Sequence, residues 1–160
     1  MAGLGHLSFG FAAKRLTPKI PLGFLLIACI MLDLLWIGLN FLGVETFKGV
    51  ATMTHSMIMA VGWSLLAAGI TALIVRRFRE SLVIGLLVFS HWVLDAVAWP
   101  MTAISPEMNK TMPLFFQAEP SVGLGLYRTL FGTILGEGVL LAAGITIYII
   151  TIKQIRQSKS

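Results

Sequence analysis

Four stretches of this chain are apolar over the length that crosses a hydrocarbon layer, and few ionisable groups fall inside them. They run from about 20 to 42, 52 to 75, 81 to 99 and 126 to 152. A membrane core is spanned by about 20 residues of helix. Helix is required because lipid offers nothing to backbone N–H and C=O groups. The pattern predicts an all-α integral membrane protein, a four-transmembrane-helix bundle formed by one domain over residues 1–160. Pro18 and Pro21 mark the first start, Gly43 its end and Pro100 the end of the third span. Composition agrees. Hydrophobic residues make up 57% and charged residues 12%, where soluble domains carry about 25% charged residues. A water-facing globule and a disordered chain are both excluded. Cys29 is the one cysteine and lies in an apolar run, so no disulfide scaffold is expected.

The basic residues define a topology. Lys14, Arg15 and Lys19 precede the first span, Arg76, Arg77 and Arg79 separate the second from the third, and Lys153, Arg156 and Lys159 follow the fourth. Lys48 and Lys110 fall on the other side, with Arg128 at a span edge. Positive-inside bias then puts both termini and the Arg76–Arg79 turn in the cytoplasm. The net charge of +5 is thus explained by membrane topology and anionic lipid, with no nucleic-acid partner. The opening residues carry no basic cluster before their apolar part, so no cleavable signal peptide is expected.

Two segments fall outside the spans. Residues 3–15 are apolar but short and broken by glycines, which predicts an interfacial or re-entrant helix. The outer loop, 100–125, is long for a connector and carries Glu107, Glu119, four prolines and the pair Phe115–Phe116. Such loops often serve as lids or rims over a site.

Inside the spans, an ionisable side chain needs protein, water or a metal as its partner. Asp33, His55, His91, Asp95 and Glu137 are the buried candidates. A rise of about 1.5 Å per residue puts all five in the outer half or near the midplane. His91 and Asp95, spaced i,i+4, share one helical face. With Asp33 and His55 from neighbouring helices, they offer two imidazole nitrogens and two carboxylate oxygens. That set fits a divalent metal, zinc first, with manganese or iron as alternatives. Taken singly, each has a plainer reading. His91–Asp95 could be a hydrogen-bonded pair, Asp33 could bond across the bundle, His55 could sit at a helix start, and His6 could be an interface residue. Glu137 lies between Gly136 and Gly138, which permit close helix approach.

The ordered set of His6 in "GHLSFGFAA", Asp33 in "IMLDLLW", Thr54–His55–Ser56, and "HWVLD" from His91 to Asp95 resembles a membrane-bound metal-dependent hydrolase family. That family is typified by an SOS-regulated inner-membrane protein. It is distantly similar to the all-helical zinc-dependent phospholipase C and single-strand nuclease superfamily. The resemblance implies His6, Asp33, His55, His91 and Asp95 as metal ligands, Asp95 bridging two ions, and placement in the inner membrane. The soluble enzymes hold a third metal with further histidines. This chain has three histidines, so a one- or two-metal centre is expected.

The expected function is a metal-dependent hydrolase of a phosphoester, phospholipid or lipid-linked substrate at the outer face. Glu137 would act as general base or as an orienting group, and Arg128 would hold a phosphate oxygen. The alternative is a small ion or metal transporter, which implies a homo-oligomer because four spans are few for a monomer, or a non-enzymatic metal-binding membrane module. A b-type haem held by His55 and His91 and a purely structural polar network complete the range.

Overall fold

The computed structural model describes residues 3–45 and 52–158, and is helical apart from one small ribbon. Lys48 and Lys159, used above for topology, and residues 46–51 of the first outer loop lie outside the described residues. A single turn of 3₁₀ helix, Leu4–His6, leads into α1 (Leu7–Ala13). Then follow α2 (Leu22–Cys29), α3 (Met31–Phe41), α4 (Thr52–His55), α5 (Met57–Val75), α6 (Phe78–Ala98) and α7 (Leu130–Gln157). Among the described residues, α5, α6 and α7 are each long and apolar enough to cross a membrane. The α2–α3 pair makes a fourth such unit if taken as one span.

Local signals set the helix ends. Ser56 caps α5 by accepting from the Met59 N–H at 3.4 Å, and Thr129 caps α7 by accepting from Gly132 at 3.0 Å. Arg76, with φ of 54°, ends α5 in the left-handed region, so that α6 can turn back along it. After α3, Gly43 adopts φ of 72° and Val44 N–H reaches back to the Leu39 carbonyl at 2.9 Å. This is the glycine-terminated helix end in which orphan carbonyls find partners.

Helix α6 is the central element. Its buried positions Ser81, Ile84, Gly85, Val88, His91, Trp92, Asp95 and Ala98 recur every three or four residues, giving one continuous inward face. That face packs on α5 and α2, with Leu25, Ala28, Leu32, Ala60, Leu87 and Val88 at the core. Helix α1 lies between α2 and α7. Much of α7 and α5 is exposed and apolar, as at Leu65, Leu73, Ile74, Phe131 and Ile134, which suits lipid contact.

The first span is not straight. Helix α2 meets α3 at Ile30 with a bend of 60°. The second stretch is also divided, because Ser56 is extended (ψ 149°) and separates α4 from α5. His55 therefore belongs to a short preceding helix rather than to the long span. The outer loop is more ordered than a bare connector. Met112–Pro113 pairs antiparallel with Ser121–Val122, and the Leu114 carbonyl accepts from Ile58 N–H at 3.2 Å. Gly125 N–H bonds the Trp99 carbonyl at 2.7 Å, tying the loop to the end of α6.

Small residues allow the close approaches. A Cβ on Gly144 of α7 would run into the Ser8 backbone of α1. A Cβ on Gly69 of α5 would meet nothing within 4 Å. Gly144→Leu should therefore cost about 1–3 kcal/mol by overpacking, read as a lower unfolding temperature in detergent. Gly69→Leu should leave that temperature near wild type, and equal loss in both would contradict this packing of α1 on α7.

Candidate metal centre

Five side chains from four elements converge on one buried volume. The Leu4–His6 turn supplies His6, α3 supplies Asp33, α4 supplies His55, and α6 supplies His91 and Asp95. His91 and Asp95 are fully buried and His6 and His55 are nearly so. The nitrogens and oxygens form two overlapping His/His/Asp groups of metal-binding type, His6–His91–Asp95 and Asp33–His55–His91.

The breaks in the helices bring these groups together. The backbone interruption at Ile30 leaves Cys29 as the last residue of α2, where carbonyls lack a regular helical partner. That carbonyl lies 2.8 Å from His91 Nδ1. His6 Nδ1 likewise faces the Gly3 carbonyl at 3.2 Å. A carbonyl only accepts, so each Nδ1 carries a hydrogen, and the neutral ring keeps its lone pair on Nε2. Both Nε2 atoms point inward.

What they point at is Asp95. Its Oδ1 lies 3.3 Å from His6 Nε2, and its Oδ2 lies 3.4 Å from His91 Nε2 and 3.8 Å from His55 Nε2. Asp33 Oδ1 lies 3.4 Å from His55 Nε2 and 3.6 Å from His91 Nε2. Among the described residues, neither oxygen of Asp95, nor Nε2 of His6 or His91, has a hydrogen-bond partner. Charge-assisted N–H···O bonds close to about 2.7–2.9 Å. These separations are longer. They approach the edge of a tetrahedron with about 2.0–2.2 Å from centre to each ligand, an edge of roughly 3.3–3.6 Å. The donor set of imidazole nitrogens and carboxylate oxygens facing one another fits one or two divalent cations. A single Nε2 lone pair serves one ion, so the group with an oxygen for each side is Asp95.

The remaining expected residues lie around this centre. Glu137 is outside both metal-type groups. Its Oε2 accepts from Gly5 N–H and its Oε1 from the Tyr127 hydroxyl, each at 2.6 Å. A Cβ on Gly3 would collide with this carboxylate, so α7 approaches the His6-bearing turn closely. Arg128 follows Tyr127 and is exposed, its side chain folded over Gly125 and in neither metal-type group. A cavity of about 210 Å³ lies here, with Gly3, Met101, Met108, Tyr127 and Glu137 in its walls.

Three contributors had no clear sequence signal. The Cys29 carbonyl is a backbone group exposed only by the break at Ile30. Tyr127 lies ten residues before Glu137, across an irregular turn. Glu45, buried at 7% exposure, sits beyond the end of α3 and accepts from Thr54 at 2.8 Å.

His91 is common to both groups but its one Nε2 lone pair serves one ion, so His91→Ala should lower the bound metal and leave at most one ion per chain. His6→Ala should leave the Asp33–His55–His91 side loaded, with about one ion per chain. Elemental analysis of detergent-purified variants checks this, and retention of full metal content by His91→Ala would contradict it.

Comparison of the chain with protein-family models, with curated proteins and with solved structures finds no match.

Proposed function

We propose that this protein is a membrane-embedded metal-binding module whose centre holds one or two divalent cations, zinc foremost. The observation that carries this is Asp95, fully buried, with both oxygens facing imidazole nitrogens and no hydrogen-bond donor among the described residues. A carboxylate in such a place needs a compensating cation, because its burial alone costs several kcal/mol. Imidazole and carboxylate ligands suit zinc, manganese and iron. The distribution of basic residues supports cytoplasmic termini. The centre then sits in the outer half, since His91 is about 20 Å along α6 from the Arg76–Arg79 turn.

A second reading, hydrolysis, is favoured by the cavity beside His6, where Glu137 and Tyr127 form a polar wall in an apolar pocket. The family resemblance of the ligand order supports the same reading. Its substrate class would be a phosphoester or phospholipid, reached from the lipid. Bound cations would supply activation of water and neutralisation of phosphoryl charge. Glu137 would hold the His6 turn by the Gly5 N–H and take up a proton at Oε1, from which the Tyr127 hydroxyl can turn away. Arg128, exposed next to Tyr127, would pair with a phosphate oxygen. The transport reading uses the same ligands and differs in needing a path to both faces.

Metal-loaded protein should be assayed with an activated phosphodiester and with phospholipid vesicles, beside divalent-cation flux in proteoliposomes. Chelator-sensitive turnover lost in His91→Ala supports hydrolysis. Potential-driven flux without turnover overturns hydrolysis in favour of transport. Wild type that binds no divalent metal overturns the module itself. If Glu137 takes a proton in the reaction, Glu137→Gln should lower kcat by about 10²–10⁴-fold while metal content stays near wild type. Loss of metal at unchanged kcat per loaded centre would instead mark it as a holder of the His6 turn.

A further inference from the structure

Of the three histidines, His55 is held differently. His6 and His91 place Nδ1 on backbone carbonyls, which fix the ring proton without help. His55 Nδ1 lies 2.8 Å from the Thr54 hydroxyl oxygen, and a hydroxyl both donates and accepts. The ring's tautomer is therefore undetermined by that contact alone. The next link decides it. Thr54 Oγ1 lies 2.8 Å from Glu45 Oε2, and Met53 N–H donates to Glu45 Oε1 at 2.6 Å. A carboxylate only accepts, so the single hydroxyl hydrogen of Thr54 goes to Glu45. The Thr54 oxygen must then accept from His55, which puts the ring hydrogen on Nδ1 and leaves Nε2 as a lone-pair donor.

The fold places Glu45 for this task. The turn at Gly43 directs both Val44 N–H and Glu45 N–H to the Leu39 carbonyl. The chain thereby folds back from α3 toward α4, and Thr54 is completely buried between Glu45 and His55. Nothing else in the neighbourhood of the centre presents a carboxylate to a ligand through an intervening hydroxyl among the described residues.

We propose that Glu45 is a positioning residue of the metal centre: through the Thr54 hydroxyl it keeps the hydrogen on His55 Nδ1 and so turns Nε2 into a ligand beside Asp33 and His91. This rests on the metal-centre reading for its purpose, but the hydrogen on Nδ1 follows from the Glu45–Thr54 contacts themselves. Partners behind a metal-ligating histidine commonly alter affinity by about 10–100-fold.

Glu45→Gln is nearly isosteric and makes a sharp reversal. The amide oxygen must face Met53 N–H, so the amide NH₂ faces Thr54 and donates to it. The Thr54 hydrogen then turns to His55 Nδ1, and the ring hydrogen moves to Nε2, the wrong atom for a ligand. Two measurements test this on the full chain in detergent. In metal-free protein labelled with ¹⁵N-histidine, wild-type His55 should be the Nδ1–H tautomer and Glu45→Gln should shift it to Nε2–H. In chelator competition with zinc, Glu45→Gln and Thr54→Val should bind about 10–100-fold more weakly. Thr54→Ser, which keeps the hydroxyl, should restore wild-type affinity, and Glu80→Gln at the far end of α6 should change neither readout. An Nε2–H tautomer in wild type overturns the proposal, as does unchanged zinc affinity in Glu45→Gln when the wild type binds zinc. If wild type binds no zinc while the tautomer shifts as expected, the relay stands and the metal reading falls.

Discussion

A carboxylate sealed inside an apolar bundle is the constraint around which this structure is arranged. Asp95 sits on the most buried of the long helices, without a hydrogen-bond donor among the described residues, facing histidine nitrogens from three separate elements. In a medium that charges its full desolvation penalty, such a group persists only with a compensating cation. Protons on the histidines offer one form of compensation. The separations of 3.3–3.8 Å are too long for strong charge-assisted hydrogen bonds and suit ligands arrayed around an ion. The need to neutralise Asp95 links the N-terminal turn, the bent first span and the short α4 to the same point.

The helical breaks follow from that need. A straight span presents side chains on fixed faces and consumes its own carbonyls. Interrupting the first span at Ile30 makes the Cys29 carbonyl available to His91 and redirects the segment carrying Asp33. Interrupting the second at Ser56 sets His55 apart from α5. Non-helical backbone at membrane depth is tolerated where protein covers it. Here Thr54, His55 and Ser56 are all buried, and the returning outer loop contributes the Leu114 carbonyl to Ile58 N–H. The ribbon in that loop thus covers the junction from which His55 emerges.

Much of this was legible from residue order. The length of the apolar stretches marks the long helices, and the i,i+4 spacing of His91 and Asp95 places both on the inward face of α6. Asp33 and His55 stand out because ionisable groups in such stretches demand partners. His6 was different: its isolated chemistry favoured an interface, and only the ordered resemblance pointed to the centre. The breaks at Ile30 and Ser56 carry no proline or glycine at the interruption, so no local punctuation announced them. Glu45 carries no such signal, because only the Gly43 turn brings its carboxylate to Thr54. Glu137 was visible as a buried acid, but its partners Gly5 and Tyr127 arrive from opposite ends of the sequence.

The three histidines also divide by how firmly they are held. His6 and His91 are set by backbone carbonyls, which side-chain substitution does not remove. His55 is set through Thr54 by the carboxylate of Glu45, a residue near the outer end of α3. A tautomer change at His55 needs one proton to leave Nδ1 and another to reach Nε2, and the Glu45 carboxylate opposes it by keeping the Thr54 hydrogen for itself. His55 is therefore the histidine whose donor atom a single side-chain substitution can reset without moving a helix, whereas His6 and His91 keep theirs as long as the backbone holds.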